Sequence, residues 1–282
     1  GDVEHRLAEE RLGALLLEEG PASPADVFLP QDAGALGALS RAGLFTTLPA
    51  EIADAVPAGF TSTDGSWVGV TGRARVVVYD GERLTADELP DTIDGYVTEE
   101  WNGRLAVAPT NASFQSFVTA LRVLEGEEEA AAWAQALAGN SPQIFEGNTP
   151  ILTAVNDGVV EAGLINHYYW FRAASEVGVE NMRAQLKYLT AGDAGSIVNV
   201  TGAGILAGAE GDADALEFVR YLVSEAAQTY FVEQTFEYPL VPGIAAPEGL
   251  PSLESLLNPQ LDLSDLDDLA TTQQLLADAG LI

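Results

Sequence analysis

The stretch Ala162-Gly-Leu-Ile-Asn-His-Tyr-Tyr-Trp-Phe-Arg-Ala-Ala-Ser-Glu-Val177 passes from a short apolar run, Ala162 to Ile165, into a polar and aromatic cluster, Asn166 to Trp170. Helical spacing then continues from Trp170 to Val177. A buried strand followed at once by a helix is the building unit of layered α/β domains. Consecutive side chains on a strand point to opposite faces, so Tyr168 and Tyr169 can reach one ligand only where the backbone leaves the strand. The expected strand-to-helix transition supplies that departure. The same tyrosines also suit half-buried packing, and His167 suits a hydrogen-bonded structural place.

The pattern recurs on both sides. Ala25 to Leu29 reads as a strand with a helix from Ala33 to Ala42 behind it, and Leu105 to Ala108 reads as a second strand. Beyond that strand Phe114, Phe117, Val118, Leu121 and Leu124 fall at helical spacing, and Asp212 to Val223 reads as an amphipathic helix. Ligands of open α/β sheets sit at the carboxyl ends of strands, which singles out Pro30 to Asp32, Pro109 to Ser113 and Asn166 to Tyr169. In Pro109-Thr-Asn-Ala-Ser113, small residues at a helix start expose N–H groups to an anion, although taken alone Asn111 or Ser113 reads first as a plain N-cap. Thr149-Pro150 reads as the cap and first position of another helix, which would leave Asn148 facing a crevice.

With 282 residues, 47% of them hydrophobic, the chain can bury the core of two lobes or of one large domain. The absence of cysteine removes thiolate metal sites, catalytic thiols and disulfides. Forty-three acidic residues against 12 basic ones give a net charge of -31, with Lys187 the single lysine. That balance argues against a nucleic-acid partner, because phosphates would be repelled, and predicts a solvated acidic surface. No apolar run has the length of a membrane span, and the chain opens at Gly1 without a leader, so any export signal is expected to be upstream or already removed. Enzyme signatures are poor: the imidazoles are His5 and His167, there is no nucleophile elbow or P-loop, and Gly202-Ala-Gly204 lacks the third glycine of a dinucleotide fingerprint. From the residues alone, the chain is an α/β ligand-binding protein or an enzyme.

Five segments in order carry a more specific message: Pro24-Ala-Asp-Val-Phe28, Gly72-Arg-Ala-Arg-Val76, Ala108-Pro-Thr110, Leu164-Ile-Asn-His-Tyr-Tyr-Trp170 and Glu237-Tyr-Pro-Leu240. Together with Leu275 to Leu281 they resemble the periplasmic ferric-ion-binding proteins, transferrin-like carriers of bacterial ABC iron importers, over nearly the whole chain. The resemblance implies a type II periplasmic-binding-protein fold, two α/β lobes joined by hinge strands and closing over one ion. Residues 1–78 would begin the N-lobe, 79–199 form the main C-lobe with a hinge crossing near 76–101, 200–246 return to the N-lobe, and 247–282 add C-terminal helices packing on the C-lobe. It also implies a non-enzymatic, monomeric, extracytoplasmic protein, in the periplasm or lipid-anchored through an N-terminal segment, that hands Fe(III) to an ABC transporter permease.

By the same resemblance the paired tyrosine ligands fall on Tyr168 and Tyr169. The synergistic anion, phosphate or carbonate, falls to Asn111, Ala112, Ser113, Asn148 and Asn166. Two departures stand out. The family's glutamate ligand falls on neutral Gln31, leaving Asp32 as an alternative donor or as the cap of the helix from Ala33, and the first strand-helix unit is expected to be missing. Phe114 stands where a variant branch has a third tyrosine, which favours the branch using an external anion. The competing functions are a same-fold carrier of an oxyanion, thiamine or a polyamine and, behind these, a hydrolase or transferase.

Overall fold

The computed structural model describes residues 12–256 and 261–282. In chain order these form α1 (Leu12–Glu19), β1 (Val27–Phe28), α2 (Ala33–Arg41), α3 (Ala50–Ala53), β2 (Val68–Asp80), β3 (Leu105–Val107), α4 (Ala112–Glu125), α5 (Glu127–Gly139) and β4 (Gln143–Ile144). There follow α6 (Asn148–Asn156), β5 (Ala162–Asn166), α7 (His167–Val177), β6 (Ala184–Lys187), β7 (Val198–Ile205), α8 (Ala213–Leu222), α9 (Glu225–Thr235), β8 (Tyr238–Pro239) and α10 (Leu269–Asp278). The described residues divide into two α/β units: 12–72, 200–250 and 262–267 make the first, and 73–199, the described part of 251–261, and 268–282 make the second. β2 and β7 each run from one unit into the other.

In the first unit β1 pairs antiparallel with β7 (Val27↔Ile205), and the start of β2 pairs antiparallel with β8 (Thr71↔Pro239). Helix α2 lies directly on the backbone of 263–267. A Cβ on Gly34 would come within 2.2 Å of the Leu266 carbonyl oxygen, and one on Gly37 within 2.2 Å of that of Ser264, so this approach requires the two glycines one turn apart. Gln228, fully buried on α9, ties the unit together. Its amide donates to the carbonyls of Val70 (2.8 Å) and Leu222 (3.0 Å) and accepts from the N–H groups of Leu240 (2.8 Å) and Val241 (3.3 Å), so both polar atoms of this buried side chain are met.

The second unit is a five-stranded sheet in the order β4-β3-β5-β2-β6, with β3 parallel to both β4 and β5 and β2 antiparallel to both β5 and β6. Helix α4 is buried from Phe114 to Arg122, so its polar positions must find partners within the protein. At the far end of β2 the fully buried Asp80 receives Arg183 at 2.7 and 2.6 Å, and that guanidinium holds its carboxyl below the usual range.

The helices expected behind Ala33, through the Phe114 periodicity and after Asp212 are present. The strand expected from Ala25 to Leu29 shortens to Val27–Phe28, because β7 pairs with those two residues. The longest strand, β2, escapes the alternation test: all 13 of its residues are buried, so no face is polar.

Candidate anion and metal site

Three helices of the second unit begin at asparagines that belong to one hydrogen-bond network. Asn111 caps α4, Asn148 opens α6, and Asn166 ends β5 as the residue before α7. Asn111 Oδ1 accepts from the Ser113 N–H (3.1 Å), the Ser113 hydroxyl (2.6 Å) and the Asn148 amide (3.2 Å). Asn148 also donates to Ser113 Oγ (3.2 Å), and its Oδ1 accepts from the Asn166 N–H (3.2 Å). Ala112, half-buried, is the first helical residue of α4, where N–H groups have no intrahelical acceptor. Helix α6 begins two residues earlier than the reading of Thr149 as its cap and Pro150 as its first position, with Gly147 as the cap. The physical reason is that Asn148 turns its side chain into this network.

The centre of the network is Arg75, a residue that the reading of the sequence did not assign to the site. It is 2% exposed on β2, paired in register with Asn166. Nη1 donates to Ser113 Oγ (3.1 Å) and Asn148 Oδ1 (3.3 Å) and lies 3.5 Å from Asn166 Oδ1, and Nη2 donates to the Leu164 carbonyl (3.1 Å). All these partners are neutral, Nε has none, and the guanidinium sits over the rings of Phe114 (5.7 Å) and Phe117 (5.9 Å). Burial pushes its pKa down to about 9, against an opposing pull from Tyr169 and Tyr168. At neutral pH this is a desolvated cation that no carboxylate among the described residues pairs with, beside three positive helix ends, in a protein of net charge -31. A sequence signal existed: Arg73 and Arg75 interrupt an otherwise apolar strand in a chain with few cations.

The tyrosines stand next to this network. Helix α7 begins at His167 rather than at Trp170, because β5 passes into it without a loop, and both tyrosines occupy its first turn. Their rings stack with centroids 4.4 Å apart at 28°, Tyr168 buried and Tyr169 half-buried. Arg172, one turn on, lies over the Tyr168 ring at 5.6 Å. His167 is fully buried, and its Nδ1 accepts the Ala74 N–H (3.1 Å), which ties the start of α7 to β2 beside Arg75. In the first unit, Asp32 caps α2 by accepting the Gly34 N–H (2.8 Å), and Gln31 is exposed. The structure thus gathers Asn111, Ser113, Asn148 and Asn166 around Arg75, with Ala112 and the tyrosines alongside, while Gln31 and Asp32 belong to the other unit.

Helix N-termini and a buried cation at the strand-end loops of an α/β sheet are the setting in which such folds hold a ligand. Residues 22–261 match the family described as bacterial extracellular solute-binding protein. The Fe(3+)-binding periplasmic protein of Serratia marcescens is 33% identical over 275 residues, covering 97% of this chain and 81% of the relative. The major ferric iron-binding protein of Neisseria meningitidis is 33% identical over 277 residues, covering 96% and 82%. The crystal structure of iron-bound HitA from Pseudomonas aeruginosa superimposes with a TM-score of 0.87 at 32% identity, covering 96% of this chain and 88% of that one. The chain belongs to the bacterial extracellular solute-binding proteins, a non-enzymatic family, and within them to the periplasmic ferric iron-binding proteins.

Proposed function

We propose that this protein captures ferric ion through the phenolate oxygens of Tyr168 and Tyr169, with a synergistic anion held by Arg75, Asn111, Ala112, Ser113, Asn148 and Asn166, and passes it to an ABC importer. The observation that carries the reading is the buried Arg75 guanidinium, which has only neutral partners. Ferric ion is a hard acid that prefers oxygen donors and promotes loss of a phenol proton, so binding releases protons. The charges then close: ferric ion and Arg75 are positive, and two phenolates with one divalent anion, carbonate or hydrogen phosphate, cancel them. The anion also fills coordination positions and is the part of the site that can leave to permit release.

The same cradle would serve a carrier whose cargo is the oxyanion itself, and Arg75 sets it against a polyamine, which it would repel. Colour separates the two. Adding ferric ion and phosphate is expected to produce a visible tyrosinate-to-iron band that Tyr168→Phe and Tyr169→Phe remove. Phosphate binding without any band would leave the oxyanion carrier as the answer.

A further inference from the structure

The anion loop has a support on its far side. Helix α4 carries Gln115, Thr119 and Arg122 at spacings of four and three, which places them on one face, and all three are buried. That face meets α10 through polar side chains. Thr119 Oγ1 lies 2.7 Å from Thr272 Oγ1, Arg122 donates to Thr272 Oγ1 (2.8 Å) and to the Asp268 carbonyl (2.7 Å), and Gln273 donates to Gln115 Oε1 (3.1 Å). The seam ends on the loop itself, because Gln115 Nε2 donates to the Pro109 carbonyl at 3.1 Å. Gln115 therefore bridges α10 to the first residue of Pro109–Ser113 through one buried side-chain amide.

We propose that Gln115 is a positioning residue for anion binding, with Gln273 of the C-terminal helix fixing the orientation of its amide. The proposal rests on the reading of Pro109–Ser113 as the anion loop. A buried amide held at both ends has one rotamer and one flip state, since Oε1 is committed to Gln273 and Nε2 to Pro109. The Pro109 carbonyl is in turn held at a fixed place, and two residues further on Asn111 caps α4 and orders Ser113. Loosening the carbonyl lets the loop sample positions in which its N–H and hydroxyl groups no longer converge, and the anion then loses preorganised donors.

The test is a phosphate titration of ferric binding, read by the tyrosinate band, beside thermal melts of the metal-free protein. Gln115→Met keeps the length and removes the donor, and Gln115→Glu keeps the acceptor for Gln273 while losing the N–H for Pro109. Both are expected to raise the phosphate concentration at half-saturation about tenfold. Gln273→Ala, which frees the amide without removing it, is expected to raise it about threefold, a smaller loss of orientation. Thr272→Val is the control for packing: it breaks the same seam away from the loop, so the melting temperature falls while half-saturation stays put. If Gln115→Met and Gln115→Glu lower only the melting temperature, as Thr272→Val does, Gln115 is structural and the proposal is overturned. If the wild-type protein binds ferric ion with no dependence on phosphate or carbonate, the anion-loop reading itself fails and takes this role with it.

Discussion

Arg75 and Arg122 are both buried in the second unit, and α4 touches both, through Ser113 at its start and Arg122 near its end. Arg122 has every N–H occupied: Glu127 takes Nε (2.8 Å) and Nη2 (2.7 Å), Asp268 takes Nη2 through its carboxylate (2.9 Å) and Nη1 through its carbonyl (2.7 Å), and Thr272 takes Nη1 (2.8 Å). Its pKa is raised, chiefly by Glu127, whereas burial pushes that of Arg75 down to about 9. A buried cation costs free energy unless a counter-charge and acceptors accompany it. Around Arg122 the fold supplies them. Around Arg75 it supplies amide, hydroxyl and carbonyl oxygens, and the negative charge is left for a ligand.

The largest effect expected is on the metal side of the Arg75 region. Tyr168→Phe and Tyr169→Phe should each weaken ferric binding a hundredfold or more, which corresponds to about 2.7 kcal/mol, while the metal-free melting temperature stays nearly unchanged. Competition against a chelator, followed by the visible band, measures both. Unchanged colour and affinity in both variants would remove the phenols as ligands and leave Arg75 serving an anion alone.

Next comes the exchange of roles between the two arginines. Arg75→Gln should raise the phosphate requirement for ferric binding about thirtyfold, in keeping with about 2 kcal/mol for lost hydrogen bonds from a charged donor. The melting temperature of the metal-free protein should hold or rise, because a desolvated cation has gone. Arg122→Gln should do the opposite: little change in phosphate requirement, and a melting temperature lower by about 4–8 °C for a loss of about 2 kcal/mol. The pH dependence separates them further. Glu127 has a folded pKa lowered chiefly by Arg122, and Asp268 one lowered first by Thr271 and then by Arg122, so their stabilisation is present above their unfolded values near 4 and is lost as pH falls through the folded ones. Arg122→Gln should flatten that acid limb. Arg75, also lowered in the folded state, gives a slope of the same sign but in a higher pH window and as a penalty: it is complete below about 9 and fades as pH rises above that, so Arg75→Gln should remove the penalty at neutral pH.

These contrasts explain which parts of the molecule could be read in advance. The Ala162 to Ile165 run, the periodicity after Phe114 and the helix after Asp212 follow from local spacing, and the structure has elements there. The grouping of Asn111, Ser113, Asn148 and Asn166 into one cluster came from a family resemblance; local sequence offered a helix start open to an anion or a plain cap, and capping is what Asn111 does. The charge of Arg75 stands out in an apolar run, but its role was illegible for a different reason. Its role depends on β2 pairing with β5, which brings it level with Asn166, and on α4 and α6 presenting Ser113 and Asn148 to the same guanidinium. None of those neighbours is local in sequence. A long strand buried on both faces gives no alternation to announce it, so the strand and the role of the charge on it were missed together.

The smallest effect expected concerns Asp32, where the same distinction between a fold-satisfied and a ligand-satisfied group applies. Its carboxylate accepts the Gly34 N–H at 2.8 Å as the N-cap of α2, so the fold already uses it. Asparagine caps about as well as aspartate, and Asp32→Asn should therefore shift the melting temperature by no more than about 1 °C, a few tenths of a kcal/mol. Asp32→Ala removes the acceptor and should lower it by about 2–4 °C, for about 1 kcal/mol. If capping is the whole of its role, ferric affinity in Asp32→Asn stays within about twofold of wild type, a change below about 0.4 kcal/mol. Gln31→Glu provides the complementary reading, since it adds a carboxylate beside Asp32 without disturbing the cap, and a gain of about threefold in ferric retention is expected. A tenfold loss in Asp32→Asn at an unchanged melting temperature would place Asp32 with Arg75 rather than with Arg122, as a charge reserved for the ligand.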